Sequence, residues 1–198
     1  MHKFESIILE SLKNIEKEYF VQQTVVLDKF KYNERIFCYE FYHQLRLKQQ
    51  NFEGISISGE AVKSNYQFSN LKNNNIPDIL IHNFGTIDNN EVIIEVKTIK
   101  NKQSLFSETG MKKDFNILNT FTCDPINYKL GIYILINFDF FKLIDENTRV
   151  GNHIKKVLRN NKKIIIWNIP EPEFIHGKID ENSILIYNAE AIEKKINP

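Results

Sequence analysis

Asp78, Glu95 and Lys97 are the residues of this chain whose types and spacing suit chemistry. Asp78 follows Pro77 and opens an apolar run at 78–82, while Glu95 and Lys97 lie inside a Val- and Ile-rich run at 91–100. Between the runs, Asn83, Gly85 and the cluster Asp88-Asn89-Asn90 form a turn signal, so the two runs read as paired strands. Alternate residues of a strand share a face, which puts Glu95 and Lys97 on one side and Ile94, Val96 and Thr98 on the other. A hairpin register with Asp78 opposite Glu95 also sets His82 opposite Glu91 and leaves 83–90 as the loop. It brings two carboxylates and an ammonium to one sheet face.

Charges inside a half-buried strand persist when they pair or bind metal. Two close carboxylates repel, and one is driven toward protonation unless a cation sits between them. A hard divalent ion such as Mg²⁺ suits that role, being held by one or two carboxylates, waters and substrate phosphate. Lys97 beside such an ion can orient a water or stabilise charge developing on a phosphate. The same three residues also suit a strand-capping Asp and a Glu–Lys pair on a solvated face. Residue type and spacing leave both readings open.

The elements that position these residues follow from periodicity. Phe4, Ile7, Ile8, Leu12, Ile15 and Tyr19 form an amphipathic stripe over 3–19, read as one helix, and a short β-type run follows at 21–27. Asn33 is a candidate N-cap for a helix over 34–46, with Phe37, Cys38, Phe41 and Leu45 on one face. Glu34 falls at the centre of that face and Glu40 projects sideways. The positive end of the helix dipole also favours an acidic first turn. Residues 54–63 alternate as a strand with a bulge or bend at Gly59, and Glu60 is a further carboxylate candidate. The polar stretch 65–75 reads as a loop, and 100–110, with Gln103 and Ser104, as a connection. A helix over 111–121 buries Phe115, Leu118 and Phe121. Residues 128–137 are almost continuously apolar, as in a strand buried on both faces. Beyond lie a helix at 151–160, a buried strand at 163–168, a break at Pro170 and Pro172, a strand at 183–187 and a short terminal helix.

Pro77-Asp78, sixteen intervening residues, then Glu95-Val96-Lys97 resembles the signature of the PD-(D/E)xK nuclease superfamily. Asn33-Glu34-Arg35 with its aromatic-rich helix is similar to the opening helix of restriction-like and junction-resolving members. The resemblance spans about 33–137, and the Gln-x-x-x-Tyr pattern of one exonuclease branch is absent. It implies an α/β fold: a restriction-endonuclease-like αβββαβ core, with a mixed central sheet flanked by helices. An extra N-terminal helix and a C-terminal α/β extension (138–198) complete a single domain over 1–198.

The site the resemblance implies binds Mg²⁺ or Mn²⁺ through Asp78, Glu95, the Val96 carbonyl and Glu34. Lys97 positions the attacking water, and Glu40 is held in reserve as the helix glutamate. The implied activity is that of a metal-dependent DNA endonuclease of restriction, defence or junction-processing type. A catalytically inactive binding or assembly subunit of the same fold is the alternative. Nucleic-acid contacts are expected from Lys112 and Lys113 on the helix after the hairpin. Lys155, Lys156 and Arg159 are expected from the basic run 149–163, which has six basic residues and no acidic ones. A second copy of the chain or a defence-system protein is the expected protein partner.

The bounds suit this. The chain has 198 residues, 42% hydrophobic and 26% charged, enough for one domain with a substantial core. Net charge is +1, so any attraction to a polyanion rests on local patches. Cys38 and Cys123 are the only cysteines and far apart, which argues against a zinc site or a disulfide framework. No apolar run approaches the ~20 residues of a membrane helix, and the start has no signal-peptide core. A cytoplasmic protein without membrane contact is expected. The five histidines show no ligand spacing.

Overall fold

The computed structural model describes residues 3–23, 30–60, 76–83, 89–99, 108–145 and 148–196. The expected loop at 65–75, the ends of the runs at 24–27 and 61–63, and most of the connection at 100–107 lie outside the described residues.

The N-terminal stripe forms two helices rather than one. Helix α1 (Glu5–Lys13) buries Ile8 and Leu12, and α2 (Lys17–Phe20) begins after a break. Glu16 is extended, bridges to Lys178, and is followed by a Lys17 amide that donates to the Gly177 carbonyl at 2.7 Å. Pairing with the C-terminal segment therefore overrides local helical periodicity at 14–16. Strands β1 (Val21–Gln23) and β2 (Phe30–Tyr32) pair as a small antiparallel ladder. Helix α3 (Glu34–Lys48) starts where the sequence predicts and buries Phe37, Phe41 and Leu45 at four-residue spacing. Asn33 takes the extended N-cap conformation, but its side chain reaches Gln22 instead of the helix amides.

Strands β3 (Ile55–Gly59), β4 (Ile79–Asn83) and β5 (Asn90–Thr98) form an antiparallel meander. Helix α4 (Glu108–Thr122) then crosses the sheet, and β6 (Leu130–Ile136) returns parallel to β5. From α3 to β6 the elements thus run in the order α-β-β-β-α-β. Asn137 closes β6 with its amide donating to Ile169. The C-terminal part supplies α5 (Phe140–Asp145), α6 (Arg149–Asn160) and β7 (Ile164–Ile169), which is parallel to β6. A short hairpin of β8 (Phe174–Ile175) and β9 (Lys178–Ile179) follows. Strand β10 (Leu185–Tyr187) pairs antiparallel with β7, so the tail covers that sheet edge, and α7 (Ala189–Ile196) ends the described chain. The strand expected over 183–187 begins two residues late, because 181–183 make a helical turn whose start Asp180 caps through the Asn182 amide.

The result is a mixed six-stranded sheet, ordered β10-β7-β6-β5-β4-β3, between two helical layers. Ile79, Ile81, Ile94, Val96 and Trp167 pack toward α1 and α3. Leu80, Ile93, Tyr133, Leu135 and Ile166 pack toward α4, α5 and α6. Both faces are covered, which is why β6 and β7 read as continuous apolar runs. Among the described residues no helix is long and apolar enough to cross a membrane.

The hairpin register needs one correction. Ile79 pairs with Ile94, Leu80 with Ile93 and Ile81 with Val92, a register that continues to Asp78 beside Glu95. After Ile81 the register slips, and His82 faces Asn90 rather than Glu91. Glu91 instead meets Lys3 and Lys129, each at 3.0 Å. The extra residue lets a buried strand send this carboxylate to two cations.

Candidate active site

Strand β4 begins at Ile79, so β5 has no strand neighbour on that side beyond Ile94. Two carboxylates fill the gap. Asp78 Oδ2 accepts from the Val96 amide at 2.8 Å, and Glu34 Oε2 accepts from the Thr98 amide at 3.0 Å. They stand where the carbonyls of a continuing strand would stand. The N–H and C=O of one strand residue face the same neighbour, so the Val96 carbonyl also points into this opening.

Glu34 does a second thing there. Lys97 Nζ donates to its Oε1 at 3.2 Å and lies 3.1 Å from its Oε2. The helix glutamate, the hairpin aspartate and the strand lysine are thus brought together. Glu40, by contrast, accepts from Gln44 one turn further along α3. Glu60 sits beyond the end of β3 at a positive φ of 43° and bonds Asp78 through the backbone, its amide donating to the Asp78 carbonyl at 2.9 Å.

Glu95 is 3% exposed, and its Oε1 has no hydrogen-bond partner among the described residues. Burial, then repulsion from Asp78 and Asp114, holds its carboxyl well above the usual range. Asp78 is pushed up to about 6, chiefly by burial, against the pull of the Val96 amide. Burial by itself lowers Lys97, but Glu34, Asp114 and Asp78 together raise it above its ordinary value, so it stays an ammonium.

Asp114 is the residue that sequence reasoning missed. It projects from α4 with Oδ2 buried and unpartnered, and burial lifts it to about 7. A signal existed: at 100° per residue Asp114 falls on the inward stripe between Met111 and Leu118.

A cleft of about 380 Å³ adjoins Asp78, lined by Glu34, Arg35, Cys38, Tyr39, Tyr42, Gly59 and Glu60. The Cys38 thiol is raised by burial and by the surrounding carboxylates, which leaves it a poor nucleophile. The donors around Glu95 and Asp78 are hard oxygens with unmet bonding capacity, which fits a Mg²⁺-type ion more closely than zinc. Glu34 fits less well, since both its oxygens are engaged. Among the described residues no three His, Cys, Asp or Glu already form a ligand group, so the carboxylates are neighbours and not a closed cage.

The basic candidates divide. Burial raises Glu95 and Asp114, and Lys113 lies close enough to oppose part of that rise. Lys112 and Lys156 both act on His153, whose Nε2 is 2.9 Å from Asn116 Oδ1, so α4 and α6 present adjoining positive charge. Lys155 and Arg159 lie on α6. Lys162 pairs with Glu193 on the surface and Lys163 donates to the Thr122 carbonyl, so both already have partners within the chain. Set beside known protein families, curated proteins and solved structures, the chain gives no match, and the functional reading rests on this geometry.

Proposed function

We propose that this chain is a metal-dependent nuclease of the PD-(D/E)xK type, cutting DNA phosphodiester bonds endonucleolytically. The observation that carries the reading is the open edge of β5, where Asp78, Glu95 and Lys97 meet within an α-β-β-β-α-β arrangement. Asp78, Glu95 and the Val96 carbonyl would hold Mg²⁺ or Mn²⁺. Bound there, the ion supplies Lewis-acid polarisation of a phosphate oxygen and charge neutralisation in the transition state.

The chain's own residues do the rest. Lys97, kept cationic by its acidic neighbours, donates to the attacking water and orients it toward phosphorus. Glu34 fixes the direction of Lys97 through the contacts at 3.1 and 3.2 Å. Burial of Glu95 limits competing water and strengthens each charge interaction. Lys112, Lys113, Lys155, Lys156 and Arg159 supply the positive rim that a phosphate backbone requires.

A second reading draws on the same edge. Asp78 and Glu34 both cap strand amides, which suits a non-catalytic assembly subunit that keeps its carboxylates for structure. The two are separated by incubating the purified chain with single-stranded, duplex and branched DNA, with Mg²⁺, Mn²⁺ or EDTA. Divalent-dependent cutting abolished in Asp78→Ala and Lys97→Ala supports the nuclease. Intact DNA in every arm supports the subunit.

A further inference from the structure

Glu95 Oε1, Asp114 Oδ2 and the Tyr133 hydroxyl are all buried and unpartnered among the described residues. They belong to one neighbourhood. Glu95 and Tyr133 are paired in the parallel register of β5 and β6, 3% and 0% exposed. Asp114 precedes Phe115, whose ring lies 4.5 Å from that of Tyr133, so α4 brings Asp114 down onto the same patch. After burial, Asp114 is the charge that most raises the Tyr133 hydroxyl, and it also acts on Glu95.

Buried polar atoms in folded proteins almost always find partners, and each one left alone is destabilising. Three together call for a common partner. Tyr133 has a single proton to donate and can satisfy one carboxylate oxygen only. Lys97 is already turned to Glu34. A cation accounts for what remains.

We propose that Asp114 is a ligand of the same divalent cation as Glu95, with the Tyr133 hydroxyl donating to the outer oxygen of Asp114. This rests on the nuclease reading and deepens it. The carboxylate that joins Asp78 and Glu95 comes from the crossover helix α4, not from α3, because Glu34 is occupied by Lys97 and the Thr98 amide. Waters complete the coordination sphere, as a hard ion held by few carboxylates requires. Tyr133 is a positioning residue: unpartnered in the metal-free chain, its hydroxyl would hold the Asp114 rotamer once the ion is bound, as outer-sphere donors do for ligating carboxylates.

The test is calorimetric titration of the full chain with Mn²⁺ alone, paired with melting curves in Mn²⁺ and in EDTA. Asp114→Asn should weaken Mn²⁺ binding by about tenfold or more and lose the Mn²⁺-induced rise in Tm. Its Tm in EDTA should equal or exceed that of the native chain. Tyr133→Phe should weaken binding less and retain part of the Tm rise. If Asp114→Asn does not fold, Asp114→Ser serves in the same comparison. Unchanged Mn²⁺ affinity in the Asp114 variant, with affinity lost in Asp78→Asn, overturns the role of Asp114 and leaves the nuclease reading standing. No Mn²⁺ binding by the native chain overturns both.

Discussion

The Lys97 ammonium lies 3.1 Å from Glu34 Oε2, and that oxygen also accepts from the Thr98 amide at 3.0 Å. One side chain in the first turn of α3 thereby fixes both the edge of β5 and the direction of its lysine. Lysine on its flexible stem has little orientation of its own. Glu34→Gln keeps an acceptor for Thr98 but loses the ion pair. On the nuclease reading, kcat should fall by roughly 10²-fold with little change in KM, the scale of a misplaced catalytic group. Steady-state kinetics decide it, and an unchanged kcat would remove Glu34 from the mechanism.

Glu95 is buried, and its Oε1 has no hydrogen-bond partner among the described residues. Glu95→Gln relieves the charge, so unfolding in urea with EDTA present should show a gain of about 1–3 kcal/mol while cleavage disappears. Such opposite movement of stability and activity marks a residue retained for function. A loss of metal-free stability would instead make Glu95 a structural residue.

Burial lifts Asp78 to about 6 and Asp114 to about 7, with Glu95 also raised, whereas in the unfolded chain such groups titrate near ~4. Between pH about 4 and 7 the folded chain therefore binds more protons than the unfolded one. The stability contributed by these groups is complete at the acid end of that window and is lost as pH rises through it. In EDTA, Tm should climb as pH falls from about 8 to about 5.5, and saturating Mg²⁺ should flatten the slope by binding the ionised forms. A metal-free Tm that rises with pH across the window contradicts the burial of the cluster.

Lys112 on α4 and Lys156 on α6 both bear on His153, so they belong to one face. Replacing the pair with Ala should weaken duplex binding to a similar degree for all sequences. The slope of log affinity against log salt should drop by roughly one to two units. Fluorescence anisotropy over a salt series measures this, and an unaltered slope would move the DNA path elsewhere.

Gly131 sets how closely α4 approaches the sheet. A Cβ there would meet Thr122 Cγ2 at 3.1 Å and Ile164 Cγ1 at 3.3 Å, between α4 and β7. Gly131→Val should cost about 1–3 kcal/mol through overpacking. By lifting α4, it should also weaken Mn²⁺ binding if Asp114 is a ligand. Denaturant melts and titration of the same sample read both effects.

The sequence by itself determined the elements and the face that Glu95 and Lys97 share. Period-two alternation is a local property of the chain, and so is the four-residue stripe of Phe37, Phe41 and Leu45. The αβββαβ order was what the resemblance implied rather than something the patterns fixed, and the chain shows that element order with β6 parallel to β5. What tertiary structure alone decided involves partners distant in sequence. The helix expected over 3–19 breaks because Glu16 bridges to Lys178, and His82 loses its expected partner to a register slip. Glu34 turns to Lys97 and Thr98, 63 and 64 residues away, because β4 starts too late to cover that edge of β5. Asp114 lies on the inward stripe of α4, but the buried groups it meets there are set by the packing of α4 on Tyr133. Periodicity says which way a side chain points, whereas its final environment depends on chain segments brought alongside only by folding.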